Sequence, residues 1–157
     1  MKKTNVMRML DKEHIAYGTE SYDYDENDLS GVHAAAALGF DPAIVFKTLV
    51  AIGDKSGPVV FCIPVQKELD LKKAASQSHN KSVQMVHVKD LLALTGYIRG
   101  GCSPIGMKKK FPTYLDETAL QQPEISISAG QRGQQVLIIP AALIEFISAD
   151  TCPLTHD

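Results

Sequence analysis

Hydrophobic positions along the chain follow helical spacing in some segments and a strand-like pattern in others. Apolar residues recur three and four positions apart over residues 6–10 and predict a short opening helix, followed by a strand near residues 16–22. An alanine-rich segment, residues 32–38, predicts a second helix that Gly39 ends. The opening pattern therefore indicates helix and strand in alternation.

Two long apolar runs predict a pair of strands. Residues 45–52 match a strand that carries Lys47, and residues 59–65 are apolar throughout, as in a strand buried on both faces. Residues 53–57 form a hairpin-like connection, so we expect the two strands to pair. Just before them, residues 41–42 combine an N-cap aspartate with a proline and predict a brief helical turn.

The remaining segments continue the mixture of helices and strands. Helices are predicted at residues 70–75, 89–94 and 140–147, and strands at residues 83–86, 113–115, 125–128 and 136–139. No repeat, low-complexity linker or domain boundary is evident. We therefore predict an α+β fold in which a single domain, residues 1–157, contains a curved, barrel-like mixed β-sheet surrounded by helices.

The charge balance limits where a nucleic acid can bind. The 157 residues include 16 basic and 18 acidic side chains, so the net charge is −2 and the chain lacks the overall positive charge of many nucleic-acid-binding proteins. Any contact with RNA is therefore expected to be local. The candidate patch comprises Lys108, Lys109 and Lys110, with Arg99, Arg132, Lys72 and Lys73 as further members. A solvated loop is the alternative interpretation of the lysine run.

Cysteine usage and apolar content exclude several other classes of protein. Cys62, Cys102 and Cys152 are widely spaced and match no zinc-ligand pattern, so neither a disulfide framework nor a structural metal is predicted. The N-terminal residues are too charged for a signal-peptide core, and no apolar run approaches membrane-spanning length. We expect a cytoplasmic protein with no metal, no cofactor and no membrane contact.

Lys47 is the first candidate for chemistry, because it lies inside an apolar strand. The period of two along a strand places it on one face with Val45, Leu49 and Ala51. A lysine between apolar walls is a natural anchor for a phosphate, or a candidate for a lowered pKa. The alternative is a structural lysine whose stem packs on the core while its ammonium group reaches water.

Two glycine-rich turns are the next candidates. Gly100 and Gly101, followed by Ser103, allow backbone N–H groups to face a carbonyl oxygen as an oxyanion hole, although a tight β-bulge is the simpler explanation of an isolated glycine pair. The second turn supplies the hydroxyl of Ser128 and the side chain of Arg132, and by itself it indicates a hairpin. Neither turn alone identifies a site.

Other reactive side chains carry weaker signals. Cys102 is placed as a nucleophile would be, but no base is evident nearby, so a small buried residue is the favoured interpretation. Tyr22 and Tyr24 suit contact with a nucleobase or an amino acid, and half-buried packing is their alternative role. The five histidines fall in unrelated segments, and no known hydrolase, metalloprotease or phosphate-loop motif is present.

Three motifs, taken in order, resemble the YbaK/EbsC family of aminoacyl-tRNA deacylases. They are V-F-K-T-L at residues 45–49, G-G-x-S-P-x-G-x-K-K at residues 100–109 and S-x-G-x-R-G at residues 128–133. Each motif is weak alone, but their order and spacing are specific, and the resemblance covers nearly the whole chain.

The resemblance implies an activity, a partner and a set of site residues. It implies an editing enzyme that removes a wrong amino acid from tRNA, typically cysteine from tRNA(Pro), and it suggests prolyl-tRNA synthetase as a partner. The catalytic set that it implies is Lys47, Gly101 and Ser128. The implied substrate pocket adds Tyr22, Thr48, Gly100, Ser103 and Gln135. The implied tRNA contacts are Lys47, Lys108, Lys109, Lys110 and Arg132.

The chemistry proposed for this family needs no catalytic triad. The thiol of the bound cysteine attacks its own ester carbonyl, so the enzyme mainly orients the substrate and stabilises negative charge. This chain departs from the family pattern at Gln135, where the family often carries an aspartate seven residues after the serine. An amide differs from a carboxylate in charge and donor capacity, so alanine, serine or another amino acid stays open as the group removed.

Two other classes of function stay open from the sequence. A tRNA-binding module or synthetase-associated partner would bind RNA with little chemistry of its own. An enzyme acting on a small acyl or phosphate compound would turn over a free ester without tRNA.

Overall fold

The computed structural model describes residues 2–156, so Met1 and Asp157 of the predicted domain lie outside the described part. The helices within that range are α1 (Asn5–Lys12), α2 (Gly31–Leu38), α3 (Leu71–Gln77), α4 (Val88–Thr95) and α5 (Pro140–Ile147), with short 3-10 helices at Pro42–Ile44 and Glu117–Gln121. The strands are β1 (Gly18–Ser21), β2 (Phe46–Gly53), β3 (Gly57–Pro64), β4 (Val83–Met85), β5 (Thr113–Asp116), β6 (Ile125–Ser128), β7 (Gln134–Ile138) and β8 (Asp150–Cys152).

These strands form two sheets. The larger sheet, in the order β4-β2-β3-β5-β8, is mixed, because β2 runs antiparallel to β3 and β4 while β5 runs parallel to β3 and β8. The smaller sheet, in the order β1-β7-β6, is antiparallel. A single parallel bridge between Val45 and Ser126 joins the two sheets. The predicted mixed α+β fold is confirmed, but the strands do not close into one barrel-like sheet because pairing between the sheets is limited to this bridge.

The hairpin of β2 and β3 lies between two hydrophobic clusters. Residues 59–65 are all buried. Val60 and Cys62 belong to the cluster that includes apolar residues of α1 and β6, whereas Phe61 and Ile63 belong to the cluster beside α3. The predicted pairing of the two apolar runs, and the burial of the second run on both faces, are therefore confirmed.

Capping residues define the ends of the helices as the sequence predicts. The backbone N–H of His33 donates to Ser30 Oγ at 3.2 Å and begins α2, while Gly39 ends it in a left-handed conformation at φ +71°. Asp70 caps α3 in the same way, and Gly96 ends α4. Side-chain oxygens at the first turn and a glycine at the last satisfy backbone groups that the helix itself leaves unpaired.

The C-terminal strand β8 is not predicted from the sequence. It has three residues, of which Cys152 alone is buried, so it lacks the apolar alternation by which a strand is recognised. Its pairing with β5 creates the strand, and this pairing joins residues far apart in the chain. The second 3-10 helix, Glu117–Gln121, is likewise too short to carry a periodic signal.

Asn80 and Asp54 connect the β2–β3 turn to the loop before β4. Asn80 Oδ1 accepts the backbone N–H groups of Lys55 and Ser56, both at 2.9 Å, and the Asn80 residue is only 8% exposed. Asp54 Oδ1 accepts two N–H groups from the opposite loop, at 2.8 and 3.0 Å, but Asp54 is exposed. Each side chain thus accepts two backbone N–H groups, but Asn80 lies deeper, and its Nδ2 also donates to Ser56 Oγ at 3.0 Å and to Ser78 Oγ at 2.9 Å.

Replacing these two residues should show that the buried amide stabilises the loop more than the exposed carboxylate does. Asn80→Ala removes a buried amide together with all of its hydrogen bonds, including the one to buried Ser78, so we expect a loss of about 2–4 kcal/mol in the free energy of unfolding. Asp54→Ala exposes its donors to water and should cost about 1 kcal/mol or less. Urea unfolding of both variants measures the difference, and equal losses would contradict this account of the loop.

Candidate functional site

A cavity of about 360 Å³, which we call the central cavity, opens beside the first half of β2. Its wall also includes the first turn of α2, part of α4, the turn at residues 98–102 and the facing ends of β6 and β7. Ligand sites in proteins commonly have volumes of roughly 300–1,000 Å³. Six of the expected site residues line this cavity: Tyr22, Lys47, Thr48, Gly100, Ser128 and Gln135.

Lys47 lies on β2, opposite Ile63 of β3, and its side chain is half-buried. Burial lowers the pKa of the Lys47 ammonium group below its ordinary value, and the charge of Glu68 partly opposes this shift. Within residues 2–156, Lys47 forms no hydrogen bond or ion pair through its ammonium group. A partly desolvated cation without a salt-bridge partner favours an anion that enters the cavity.

Arg99 is the second cation in the wall of the central cavity. It lies in the turn between α4 and the glycine pair, and its side chain is exposed at the cavity mouth. The residues that line the cavity include Lys47 and Arg99 but no aspartate or glutamate. The charge of the wall is therefore positive, which suits a phosphate better than a cationic ligand.

Ser128 and Gln135 occupy paired positions on β6 and β7 and present hydrogen-bond donors to the cavity. Ser128 Oγ accepts the backbone N–H of Gly130 at 3.1 Å, which leaves its hydroxyl hydrogen available. Gln135 Oε1 accepts the Ser126 hydroxyl at 2.9 Å. Gln135 Nε2 forms no hydrogen bond with any described residue, so its two hydrogens are available as well.

The orientation of the Gln135 amide follows from the burial of Ser126. Ser126 is 0% exposed, and the bond to Gln135 is the one hydrogen bond that its hydroxyl forms among residues 2–156. If the amide were reversed, Nε2 would donate to Ser126 Oγ and the hydroxyl hydrogen would lose its acceptor. No fully buried side-chain nitrogen among the described residues lacks a partner, so Gln135 Nε2 must reach the solvent-filled cavity.

The two glycines of the first glycine turn have different surroundings. Gly100 has a φ of +87° and lines the cavity. Gly101 is buried outside the lining, and its N–H donates to the carbonyl of Ile98 at 3.0 Å. The backbone contact expected from Gly101 is therefore not available to a ligand here, because the turn already uses that N–H. Ser103 is fully buried and its Oγ accepts the N–H of Ile105 at 3.2 Å, so it also lies outside the lining.

The lysine run does not border the central cavity. Lys108, Lys109 and Lys110 are exposed. Lys108 Nζ lies 3.5 Å from the carbonyl oxygen of Ala93 in α4, and Lys110 Nζ lies 3.3 Å from Ser148 Oγ after α5. Both ammonium groups therefore lie at the C-terminal ends of helices, where a positive charge is favourable without any RNA.

Arg132 lies next to the cavity without lining it. Its Nε donates to the backbone carbonyl of Arg99 at 2.9 Å, so it holds the turn that carries Arg99. An added Cβ on Gly101 would lie 3.2 Å from the backbone nitrogen of Arg132, which shows how closely the two glycine turns pack. The second turn thus supports the first.

Thiol and hydroxyl groups near the cavity are poorly suited to act as nucleophiles. Burial raises the pKa of Cys102, which lines the cavity, to about 12. Burial also raises the pKa of Cys62 to about 12, and its Sγ lies 3.8 Å from Thr48 Oγ1. Tyr22 is half-buried, and burial raises the pKa of its phenol. Cys102 is half-buried and packs against the hydrophobic core, so the favoured interpretation of a small buried residue fits its packing but not its position in the cavity wall.

The first turn of α2 also forms part of the cavity wall, and sequence reasoning did not assign it to the site. Ser30 and Gly31 line the cavity. An added Cβ on Gly31 would lie 2.2 Å from Val65 Cγ1, so only glycine lets the helix approach the end of β3 this closely. The serine–glycine pair before an alanine-rich helix was the available signal.

Neither a metal-binding cluster nor a membrane-spanning helix is present among residues 2–156. No group of three or more histidine, cysteine, aspartate or glutamate side chains is arranged to hold a metal ion in that range. None of the helices described there has the length and apolar content needed to cross a membrane.

Comparison with known proteins identifies relatives of the chain. It is 49% identical over 154 residues to EbsC of Enterococcus faecalis, which is named as a candidate Cys-tRNA(Pro)/Cys-tRNA(Cys) deacylase, and the match covers 98% of this chain and 94% of EbsC. It is 31% identical over 100 residues to a proline–tRNA ligase of Shouchella clausii, a match that covers 64% of this chain and 17% of the ligase.

A solved structure and a family model complete the comparison. The structure, described as a candidate trans-editing enzyme for prolyl-tRNA synthetase, matches with a TM-score of 0.82 and 24% identity over 99% of this chain and 100% of that one, and so shares the fold. The model of the aminoacyl-tRNA editing domain matches residues 29–146, which include the whole central cavity except Tyr22. The resemblance found in the sequence is thereby confirmed, and the chain belongs to the aminoacyl-tRNA editing domain family.

Proposed function

We propose that this protein is a trans-acting aminoacyl-tRNA deacylase that removes mischarged cysteine from tRNA(Pro). The observation that carries the proposal is Lys47, a half-buried cation that forms no salt bridge with any described residue, in a cavity whose lining contains no carboxylate. Membership of the editing family and the 49% identity to EbsC support the substrate class. Such an activity fits the cytoplasmic location expected from the sequence.

In this proposal the tRNA 3′ end enters the central cavity with a phosphate bound to Lys47. The aminoacyl ester then meets the donors of Ser128 and Gln135, which line the same wall. Apolar residues of the wall, among them Val86 and Leu91, contact the side chain of the amino acid. Apolar contact discriminates weakly between amino acids of similar size, so the choice of substrate has to come from the chemistry as well.

The proposed reaction uses the thiol of the substrate rather than a nucleophile of the protein. The cysteine sulfur forms a bond to its own ester carbonyl carbon, the C–O bond to the tRNA breaks, and the released 3′ oxygen takes the proton that the thiol loses. The cyclic thioester that results is then opened by water. Holding the reacting groups together contributes up to about 7–11 kcal/mol in favourable intramolecular cases. The raised pKa of Cys102 is consistent with a mechanism that needs no protein thiolate.

We assign to Ser128 and Gln135 the role of stabilising the negative charge that develops on the ester carbonyl oxygen. Each presents a donor from a nearly buried position, with Ser128 8% and Gln135 6% exposed. One donor aimed at a developing oxyanion is worth about 3–4 kcal/mol in a water-poor site. Gly100 lines the same cavity and lets a ligand come close to the backbone, whereas the N–H of Gly101 donates a hydrogen bond within the turn.

A non-catalytic tRNA-binding module is the alternative function from another class. Such a module needs surface cations but has no use for donors inside a cavity. The buried positions of Ser128 and Gln135 therefore favour the enzyme. Prolyl-tRNA synthetase is the partner that we propose for delivery of the charged tRNA, because a solved structure with the same fold is described as a candidate trans-editing enzyme for that synthetase.

Replacing Lys47 should remove activity without unfolding the protein. Loss of a charge-assisted hydrogen bond to phosphate predicts a fall of about 10- to 100-fold in kcat/KM for Cys-tRNA(Pro) in Lys47→Ala. The exposed Lys81 provides a matched control, and Lys81→Ala should retain full activity. Release of labelled amino acid from Cys-tRNA(Pro), Ala-tRNA(Pro) and Pro-tRNA(Pro) measures both the rate of deacylation and the preference for one amino acid over another. Wild-type rates in Lys47→Ala, or equal loss of all three amino acids, would contradict the proposal.

Binding of an uncharged tRNA acceptor hairpin should depend on the lowered pKa of Lys47. Burial favours the neutral amine, but phosphate binds the ammonium form. Affinity should therefore be full below the pKa of Lys47 and fall as the pH rises through it, beginning at a lower pH than for an ordinary lysine. Lys47→Arg, which stays charged, should remove this fall. Fluorescence anisotropy at a series of pH values provides the test, and identical profiles for the two proteins would refute the role of Lys47.

Exchanging the Gln135 amide for a carboxylate should impair the chemical step. Gln135→Glu places a negative charge beside the developing oxyanion and removes the donor, so kcat should fall by about 100-fold or more. Gln134→Glu makes the same chemical change one position away on β7, outside the cavity lining, and should leave kcat unchanged. Single-turnover deacylation of Cys-tRNA(Pro) separates kcat from binding. Equal rates for the two variants would show that Gln135 is not a donor in the reaction.

A further inference from the structure

Arg99 occupies a fixed turn at the mouth of the central cavity. The N–H of Gly101 donates to the carbonyl of Ile98 at 3.0 Å and closes a turn in which Arg99 and Gly100 are the central residues. The φ of +87° at Gly100 is the conformation that the third position of a type II turn requires, and glycine adopts it without strain. The backbone of Arg99 is therefore well defined.

The second glycine turn holds this backbone in place. Arg132 Nε donates to the carbonyl of Arg99 at 2.9 Å. Gly101 packs directly on the backbone of Gln131 and Arg132, where an added Cβ would approach within 3.2–3.3 Å. The two turns therefore position Arg99 together, although they are separated by about thirty residues in the chain.

The guanidinium group of Arg99 is free to bind a ligand. Its side chain is exposed, lines the central cavity and forms no ion pair with any residue from 2 to 156. Arginine binds phosphate through two parallel N–H donors, which gives orientation as well as attraction. Arg99 has a fixed backbone and an exposed side chain beside the cavity that contains Lys47. This placement suits a polyanion that binds Lys47 and extends past the cavity mouth to Arg99.

The lysine run is poorly placed for this role. Lys108 and Lys110 direct their ammonium groups to Ala93 and Ser148, at the ends of two helices, and no lysine of the run lines the central cavity. The net charge of the chain is −2, so only local cations can neutralise RNA phosphates. Among the candidate basic residues outside β2, Arg99 is the member that the described structure brings to the cavity.

We propose that Arg99 binds a phosphate of the tRNA acceptor end, next to the one that Lys47 binds, and that Arg132 is a positioning residue that fixes the Arg99 turn. The inference rests on the proposed function, and it proposes Arg99 in place of the lysine run as the RNA contact next to the cavity. It adds to that function a second phosphate contact and the direction in which the acceptor strand leaves the cavity, across the paired glycine turns.

The test compares arginine and lysine variants for their dependence on salt. In Arg99→Ala, kcat/KM for Cys-tRNA(Pro) should fall about fivefold, and the slope of log kcat/KM against log salt concentration should become shallower by about 1. Arg99→Lys should restore the slope. Arg132→Lys keeps the charge but loses the Nε bond, so it should lower kcat/KM and leave the slope unchanged. Arg8→Ala removes an exposed arginine from α1 and serves as the matched control, expected to behave as wild type in both quantities.

Binding of an uncharged acceptor hairpin separates this proposal from the proposed activity. Anisotropy titrations at several salt concentrations need no turnover, so they decide the role of Arg99 even if the wild-type protein deacylates no substrate. Weaker binding and a shallower slope in Arg99→Ala, with wild-type behaviour in Lys109→Ala, would support the proposal. Wild-type affinity and slope in Arg99→Ala would overturn it, and a loss confined to Lys109→Ala would return the RNA contact to the lysine run.

Discussion

Packing of the β2–β3 hairpin between two hydrophobic clusters determines the electrostatics of the site. Residues 59–64 of β3 are buried, and Lys47 on β2 reaches the central cavity with its side chain half-buried. Among the described residues, its ammonium group forms no salt bridge. The free energy of packing that stabilises the hairpin offsets the cost of partly desolvating the ammonium group. Binding an anion then lowers that cost, which couples the stability of the fold to the ligand.

The smaller sheet contributes the donors, and Ser126 brings them to Lys47. The backbone of Ser126 forms the bridge to Val45 that joins the two sheets just before β2 begins. Its hydroxyl holds Gln135 Oε1 and so directs the other end of the amide into the cavity. One buried serine therefore sets both the position of β6 and the orientation of the amide. Cations from β2 and the Arg99 turn, and neutral donors from β6 and β7, meet in one cavity.

Local signals in the sequence predicted the helices, the longer strands and much of the cavity wall. Contacts between residues far apart in the chain could not be predicted from such signals. Capping residues and apolar runs located the helices and long strands, and a lysine within an apolar run identified Lys47. The glycine pair is ambiguous because its sequence is the same whether Gly101 donates to a ligand or, as here, to Ile98. The lysine run resembles an RNA patch, but the fold directs Lys108 and Lys110 to helix ends. Division of the strands into two sheets depends on pairings that no local pattern encodes.

The distribution of charge also bears on how the proposed enzyme would avoid correctly charged Pro-tRNA(Pro). With a net charge of −2 and with Lys47 and Arg99 as the cations that line the cavity, the protein can neutralise few phosphates, so we expect unaided binding of tRNA to be weak and sensitive to salt. A weakly held tRNA dissociates quickly unless its ester reacts. Under the proposed mechanism only an aminoacyl group with its own thiol can react, because the wall offers donors but no activated nucleophile. Selectivity then arises in the chemical step. An aminoacyl-tRNA whose side chain fits the apolar wall but lacks a thiol dissociates with its ester intact.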